Sequence, residues 1–338
     1  MSNAKNEKGG VIVFMTFMIV LLLIMVGMGL DTGYLTYTRS QGQAAVDAAA
    51  LAAVSGLPSG AAAVTARVTL FNSTNNYTGS VANSNVIGAS NITYVKYDDT
   101  SGEVKSWSST DANGVRVALE ENNPYTKSVA DTQIKTPAFL TPLMKLFGAS
   151  ASGVNYVNVS AVAALRAIPG IPIAVMEKEC TPGGIKGSLI ELKTANAKDD
   201  NSCWTTYTDQ PVNAPKVKAL FDASQNCTGL PGNLALVTKG TDIYLDNGVT
   251  ATVYDNAEEL FKKNQSGKCW FVPVIPNSTG CNKTDPILDW AKICPTDVVK
   301  HGKHSTITTT VQCQQSLFQA QDNLCFSPRL VREPGKGY

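Results

Sequence analysis

An unbroken apolar run near the amino terminus restricts the possible folds of this chain more than any other feature. Residues 11–30, VIVFMTFMIVLLLIMVGMGL, carry no charge, and Thr16 is the one markedly polar side chain among them. At about 1.5 Å of rise per residue, a helix of this length spans about 30 Å, which is the thickness of the hydrocarbon core of a bilayer. We therefore predict a transmembrane helix over residues 11–30.

A cleaved signal peptide is the alternative interpretation of the same run. Its apolar region would be shorter, about 7 to 15 residues, and a small-residue cleavage site would follow closely. Here Asp31, Thr32, Gly33 and Tyr34 follow instead. This favours a span that is retained in the mature protein.

The flanking charges indicate which end of the span faces the cytoplasm. Lys5 and Lys8 precede the span, whereas only Arg39 lies close behind it. Positive residues favour the cytoplasmic side of a membrane. Residues 1–10 are therefore expected to form a cytoplasmic stub, and the chain after Asp31 is expected to lie outside the cytoplasm.

Cysteine usage supports this orientation. The chain has eight cysteines and no C-x-x-C pair, a pattern more typical of disulfides than of zinc ligands. Disulfides persist in oxidising compartments. Eight cysteines allow on the order of 100 pairings, and the sequence does not choose among them. The disulfide candidates are Cys180, Cys203, Cys227, Cys269, Cys281, Cys294, Cys313 and Cys325.

The helix is expected to continue beyond the membrane over residues 31–56. Alanine, the strongest helix former, makes up seven of the ten residues 44–53, and Gly56, Pro58 and Gly60 end the helix. A stripe of mostly small residues on one face would let another helix approach closely. We predict that this stripe contacts a partner helix or a second copy of the chain, and packing against the protein's own folded part is the alternative. The stripe residues are Leu35, Thr38, Gly42, Ala45, Ala49 and Ala52.

Two folded modules are expected after the helix, and together they predict an α+β fold class. Residues 60–168 combine a helical pattern with strands, and alternate residues from Val157 to Leu165 form one apolar face of a strand. Residues 170–338, which follow Pro169, are expected to be mostly β and to contain all the disulfides. The predicted architecture is a transmembrane helix extended as a long alanine-rich helix, an α+β module, and a mostly β, cysteine-containing module.

Several elements of the second module follow from local patterns. Asn247 and Gly248 lie between alternating apolar residues and predict a β-hairpin, because both residues tolerate the positive φ that a type I′ turn needs. The hairpin strands would contain residues 243–245 and 249–253. A helix is expected over residues 256–264, and strands over 269–275 and 305–313. The final residues, 328–338, are expected to fray.

No catalytic, cofactor or metal site is predicted. His301 and His304 could share a metal, but no acid or cysteine stands at ligand spacing near them, which favours an exposed basic loop. Adjacent acids are expected to be solvated rather than to form a catalytic carboxylate pair. The tryptophans are expected to fill a core rather than to line a carbohydrate-binding face. The adjacent acids are Asp98 and Asp99, Asp199 and Asp200, and Glu258 and Glu259. The tryptophans are Trp107, Trp204, Trp270 and Trp290.

Net charge excludes one further class of function. The 338 residues have a formal net charge of +1, and 16% of them are charged. A protein that binds nucleic acid through a basic surface would have a large positive charge. We therefore expect protein and membrane partners, and no nucleic acid.

Spaced polar residues accompany the apolar run and the alanine-rich helix. A glycine precedes the span, an aspartate and a glycine close it, a tyrosine and an arginine follow, and a stretch of the form Q-x-A-x-D-A-A-A-L-A completes the pattern. The positions are Gly10, Asp31, Gly33, Tyr34, Arg39, Gln43, Ala45, Asp47, Ala48, Ala49, Ala50, Leu51 and Ala52. In this pattern, residues 8–56 resemble the amino-terminal region of Tad (Flp-type) pilus-assembly proteins of the TadG-like group.

The resemblance implies a function for the whole chain. We expect a single-pass protein of a bacterial inner membrane that assists the assembly or anchoring of a Tad-type pilus through helix and domain contacts, without catalysis. Its partners would be pilin-like or pilus-assembly proteins. The alternative is a membrane-tethered adhesin or carbohydrate-binding module.

Overall fold

A computed structural model of the chain describes sixteen parts of it. These are residues 7–75, 87–98, 101–120, 133–139, 145, 154–169, 171–180, 189–193, 201–208, 213–227, 237–246, 251–264, 268–277, 280–299, 306–313 and 325–332.

One long helix contains both the apolar run and the alanine-rich stretch. Helix α1 extends over Glu7–Ser55, 49 residues in all, which corresponds to about 74 Å. It is long and apolar enough to cross a membrane, and none of its most apolar window is buried within the protein. The predicted extension of the helix beyond the span is confirmed. A short 3₁₀ turn, Leu57–Ser59, follows and leads into helix α2, Ala61–Asn75.

The extramembrane half of α1 packs on an antiparallel sheet. In spatial order the five strands are β15, β6, β3, β1 and β2. Their bounds are β1 Ile92–Tyr97, β2 Val104–Ser106, β3 Gly114–Leu119, β6 Val159–Ala167 and β15 Phe326–Val331. A separate antiparallel pair, β4 Ile134–Pro137 and β5 Val154–Val157, lies beside the helix.

The predicted apolar face of β6 forms the centre of this packing. Val159, Ala161, Ala163 and Leu165 belong to the same core as Ala49 of α1. The intervening Val162 and Ala164 face a smaller core on the opposite side of the sheet. The predicted alternation is therefore confirmed, and it gives β6 an apolar residue on each face.

The last strand corrects one expectation. Residues 328–331, predicted to fray, belong to β15, which pairs along β6 from Phe326 opposite Ala167 to Val331 opposite Val162. Strand β15 thus returns from the end of the chain to the first sheet. It is retained there because six consecutive residues find partners on the free edge of β6.

The remaining strands form a mixed sheet of eight. The spatial order is β12, β10, β9, β7, β11, β13, β14 and β8, and among the described pairs only β7 and β11 run parallel. The bounds are β7 Ile173–Met176, β8 Leu189–Lys193, β9 Ser202–Thr205, β10 Asp242–Asp246, β11 Trp270–Ile275, β12 Lys283–Pro286, β13 Asp289–Val299 and β14 Thr306–Gln312.

Two helices accompany the larger sheet. They are α3, Ala214–Asn226, and α4, Ala251–Glu258, which continues as a π-helical segment over Glu259–Asn264. Both helices contact the sheet through aromatic residues. Phe221 of α3 and Tyr254 of α4 each meet Trp204 of β9 edge to face. The predicted strands over 269–275 and 305–313 and the predicted helix over 256–264 are confirmed within the described residues.

The predicted hairpin around Asn247 and Gly248 is wrong. Those two residues lie outside the described parts, but residues 251–253 belong to α4 and not to a strand. Strand β10 pairs instead with β9 and β12. The physical reason is a helical pattern that the short alternation concealed: Val253, Tyr254, Ala257, Leu260 and Phe261 are all buried at helical spacing.

Overall, the structure confirms the predicted fold class. A long amino-terminal apolar helix is followed by a mixed α/β region and by β-sheets that carry four disulfides.

Candidate functional site: the long helix outside the membrane

The predicted partner stripe on α1 faces the chain's own sheet. Thr38, Gly42, Ala45 and Ala49 are buried, whereas Leu35 and Ala52 are half-buried. The helix contacts β6 and β3, and Ala49 is completely buried in the core that they share. Small side chains let the sheet approach the helix closely. The structure thus favours the alternative, own-domain packing, for these four residues, and a partner role of the stripe stays a prediction.

A polar contact fixes one flank of the helix on the sheet. The side-chain amide of Gln43 donates through Nε2 to Asp47 Oδ1 at 2.8 Å and to the carbonyl oxygen of Ser160 at 2.9 Å. Ser160 lies on β6. Gln43 and Asp47 are two of the polar residues in the pattern that carries the family resemblance. Their role in this structure is to hold α1 in register with the strand beneath it.

Gly56 sets the distance between the two amino-terminal helices. A Cβ atom at this position would lie 2.8 Å from the backbone of Ala63 and Val64, closer than van der Waals contact allows. The backbone of α2 therefore packs directly on the end of α1. The sequence predicted Gly56 as a helix terminator, and the close approach of α2 was missed.

The opposite side of α1 remains exposed. Gly33, Tyr37, Ser40 and Ala44 are all exposed and recur at steps of four, three and four, so they lie on one side of the helix. We call these four residues the outer face. It begins directly above the span and points away from the sheet, and no described part of the chain covers it.

All eight cysteines form disulfides, and none of the cysteines is free. Three bonds stay within the larger sheet and its loops, Cys180–Cys313, Cys203–Cys281 and Cys269–Cys294. The fourth, Cys227–Cys325, joins the carboxyl end of α3 to the residue before β15. It therefore connects the helix layer of the larger sheet to a strand of the first sheet.

Among the described residues, the side chains considered for chemistry are not assembled into a site. His301 and His304 lie outside the described residues, as do Asp99, Asp199 and Asp200. Within the described ranges, no group of three or more His, Cys, Asp and Glu side chains is placed to hold a metal ion. The carboxylate of Glu258 pairs with Lys262 on the same helix at 3.5 Å.

The tryptophans are divided between the core and the surface. Trp204, Trp270 and Trp290 are buried in the core of the larger sheet. Trp107 is 42% exposed, and the ammonium group of Lys96 lies 4.7 Å from its ring centroid. The four residues therefore do not form a shared aromatic face.

Lys262 of the π-helical segment and Asp297 of β13 form an ion pair at the surface. Lys262 Nζ lies 2.5 Å from Asp297 Oδ1 and also donates to the carbonyl oxygen of Val298 at 3.0 Å. The hydrogen bond from Lys262 lowers the pKa of the Asp297 carboxyl, and the same bond raises the pKa of Lys262. This ion pair fastens the π-helical segment to β13.

Comparison with known proteins identifies the amino-terminal part. Residues 9–67 match the model of a family described as putative Flp pilus-assembly TadE/G-like proteins. The chain carries a TadE/G-like domain. No curated protein and no solved structure matches the chain.

The TadE/G-like domain covers most of the two amino-terminal helices. It contains the span, the half of α1 that packs on the sheet, the tight turn at Gly56 and the first half of α2. The resemblance seen in the spaced polar residues is thereby confirmed. The apolar helix indicates a membrane anchor or a signal, and the four disulfides indicate domains outside the cytoplasm.

Proposed function

We propose that this protein is a single-pass, membrane-anchored component of a bacterial envelope that assists the assembly or anchoring of a Tad-type pilus. It acts by contact and position, without catalysis. The observation that carries the proposal is that the TadE/G-like domain contains one helix that joins an apolar span to a folded sheet without interruption. Such a helix transmits the position of the membrane anchor to the folded part.

The proposed orientation has the amino terminus in the cytoplasm and both sheets on the outer side of the inner membrane. Lys5 and Lys8 support this orientation because positive residues favour the cytoplasmic side. The disulfides support it because the cytoplasm is reducing. The folded part would then lie in the compartment through which a growing pilus passes.

The proposed contact surface for a pilin-like or assembly-protein helix is the outer face. Gly33, Ser40 and Ala44 present little or no side chain, so a second helix can approach closely at these three positions. The exposed ring of Tyr37 is available to pack on it. The predicted partner stripe is less suited to this role because Thr38, Gly42, Ala45 and Ala49 are already buried within the chain. Self-association through the outer face would use the same geometry.

Two substitutions on the outer face test the proposal. In cells that make the pilus, the double variant Ser40→Leu/Ala44→Leu should reduce pilus number and the co-purification of pilus components, because bulky side chains keep a partner helix at a distance. The fold should persist, since both positions are exposed. Lys216→Leu, which places the same side chain on the exposed surface of α3, is the matched control.

One result would contradict the proposed contact, and another would contradict the proposed function as a whole. Normal piliation and normal partner capture by the outer-face variant would contradict the proposed contact. Normal piliation after removal of the whole protein, together with retention of the protein on a glycan surface, would replace the proposed function with that of an adhesin.

A further inference from the structure

Phe139 lies at the point where α1 leaves its apolar span. Its backbone N–H donates to Asp31 Oδ1 at 2.5 Å, and its ring meets the ring of Tyr34 edge to face, with centroids 5.9 Å apart. Asp31 is the first charged residue after the span. A residue far away in the sequence is thus held at the edge of the membrane.

The strand before Phe139 is firmly packed. Ile134, at the start of β4, is completely buried, and Val157 of the paired strand β5 is 4% exposed; both belong to the core that α1 shares with the first sheet. Thr136 donates through Oγ1 to the carbonyl oxygen of Asn155. Phe139 is therefore positioned by a β-pair that is itself fixed on α1.

The aromatic ring of Phe139 is nevertheless poorly covered by protein. The residue is 53% exposed, although burial of an aromatic ring away from water is favourable. Asp31 directly follows the span, so a span that fills the hydrocarbon core puts its hydrogen-bond partner Phe139 at the level of the headgroup layer, which is about 5 to 7 Å deep on each side of the core. Tyrosine and tryptophan are enriched at this depth, and Tyr34 and Tyr37 occupy the same end of the helix. Phenylalanine is one of the residues that surface-bound segments insert at the boundary between headgroups and acyl chains.

We propose that Phe139 inserts into the headgroup region of the bilayer that holds α1. The occupant of its exposed face is the lipid surface, because the contact with Asp31 makes this face continuous with the span. The protein then touches the membrane twice, through α1 and through the end of β4. Two contacts fix the orientation of the first sheet relative to the membrane, which one helix alone does not.

The inference rests on the membrane anchor of the proposed function, and it is independent of the pilus. The test uses the full chain in vesicles of phosphatidylcholine that is brominated near the headgroup end of its acyl chains, since bromine quenches tryptophan emission at short range. Phe139→Trp is compared with Met28→Trp in the span and with Leu70→Trp, an exposed apolar position of α2. Replacing one half-exposed ring with another is expected to keep the fold, and an unchanged urea-unfolding midpoint of the full chain in detergent checks this.

We expect the emission added by Phe139→Trp to be quenched nearly as strongly as that added by Met28→Trp, and the emission added by Leu70→Trp to be unaffected. Quenching at Met28→Trp without quenching at Phe139→Trp would overturn the inference and leave the anchor intact. Absence of quenching at both positions would overturn the anchor as well. A normal pilus count has no bearing on either result.

Discussion

Gly56 is the residue at which the two helices of the TadE/G-like domain come into backbone contact. Its φ of −85° suits any residue, so the need for glycine is steric and not conformational. Alanine would have to push the backbone of Ala63 and Val64 away from the end of α1. We expect this displacement to disturb the whole helix pair.

Gly56→Ala should therefore lower the free energy of unfolding by about 1 to 3 kcal/mol, the usual cost of overpacking a core. Gly33→Ala is the matched control, because nothing lies within 4 Å of a Cβ atom there, and alanine in an exposed helix is neutral or stabilising by up to about 1 kcal/mol relative to glycine. Urea unfolding of the full chain in detergent measures both. Equal stability of Gly56→Ala and the parent would contradict the close packing.

The ion pair of Asp297 with Lys262 is expected to make the free energy of unfolding depend on pH. Because the hydrogen bond from Lys262 lowers its pKa below the ordinary 3.8, the folded state favours the charged carboxylate. This contribution to stability is fully present above the ordinary pKa and is lost as pH falls through the lower, folded pKa. Asp297→Asn should thus be less stable than the parent at neutral pH, and the difference should close below about pH 4.

The measurement is the denaturant midpoint of both proteins at a series of pH values. Asp222→Asn is the control for the change in net charge, since it also removes an aspartate that is paired with a lysine on an exposed helix. A difference between Asp297→Asn and its parent that stays constant from pH 7 down to pH 2 would show that the ion pair with Lys262 is not its cause.

At the scale of elements, the two faces of α1 are expected to differ in their tolerance of larger side chains. Ala49 is completely buried against the first sheet, whereas Ala44 is exposed on the outer face. Ala49→Leu should cost about 1 to 3 kcal/mol of stability because the sheet lacks space for the added atoms. Ala44→Leu should change stability by less than about 0.5 kcal/mol. Thermal unfolding in detergent would contradict the two-faced packing if both variants behaved alike.

The disulfide Cys227–Cys325 holds the residue before β15 and is expected to contribute to the stability of the fold. Its partners are 98 residues apart, whereas those of Cys269–Cys294 are 25 apart. In the loop-entropy model, a disulfide of this kind contributes about 2 to 5 kcal/mol, and the longer loop gives about 1 kcal/mol more than the shorter one. Replacing both cysteines by serine should therefore cost more stability for Cys227–Cys325.

Urea unfolding of the two double-serine proteins measures this difference, and hydrogen exchange follows the strand directly. Loss of Cys227–Cys325 should speed exchange at the amides of β15, because this bond holds the residue before the strand. Faster exchange in β15 after loss of Cys269–Cys294 alone would contradict the specific role of Cys227–Cys325 in holding this strand.

Elements with a long or regular pattern were predictable from the sequence. The apolar span, the alanine-rich extension and the alternation from Val157 to Leu165 each follow from a periodicity of several turns or residues. The hairpin around Asn247 failed because five alternating residues are too few to distinguish a strand from the start of a helix. The pairing of β15 with β6 was not predictable, because it depends on a partner more than 150 residues away in the sequence.

The candidate site was predictable in part for the same reason. Helical spacing placed Leu35, Thr38, Gly42, Ala45, Ala49 and Ala52 on one side of α1, and the structure keeps most of them together in one packed surface. Which body covers that surface was left open, since small residues suit a sheet as well as a helix. Phe139 was missed because its contact with Asp31 joins two segments that share no local pattern.

For the whole molecule, we expect the folded sheets to function only while α1 tethers them to the membrane. The helix is continuous from the span to the sheet, the first sheet packs on one side of its extramembrane half, and β15 with its disulfide links the first sheet to the larger one. Each link transmits the position of the anchor to the next part. Release from the membrane should therefore abolish function without unfolding the protein.

The direct measurement is the number of pili on cells that lack the native protein and produce one of two replacements. In one, residues 11–30 are exchanged for an unrelated transmembrane helix of equal length; in the other, a cleaved signal sequence releases the chain from residue 31 onward. We predict normal piliation with the first and none with the second, although both form their four disulfides. Normal piliation with the released, correctly disulfide-bonded protein would show that the membrane tether is not required.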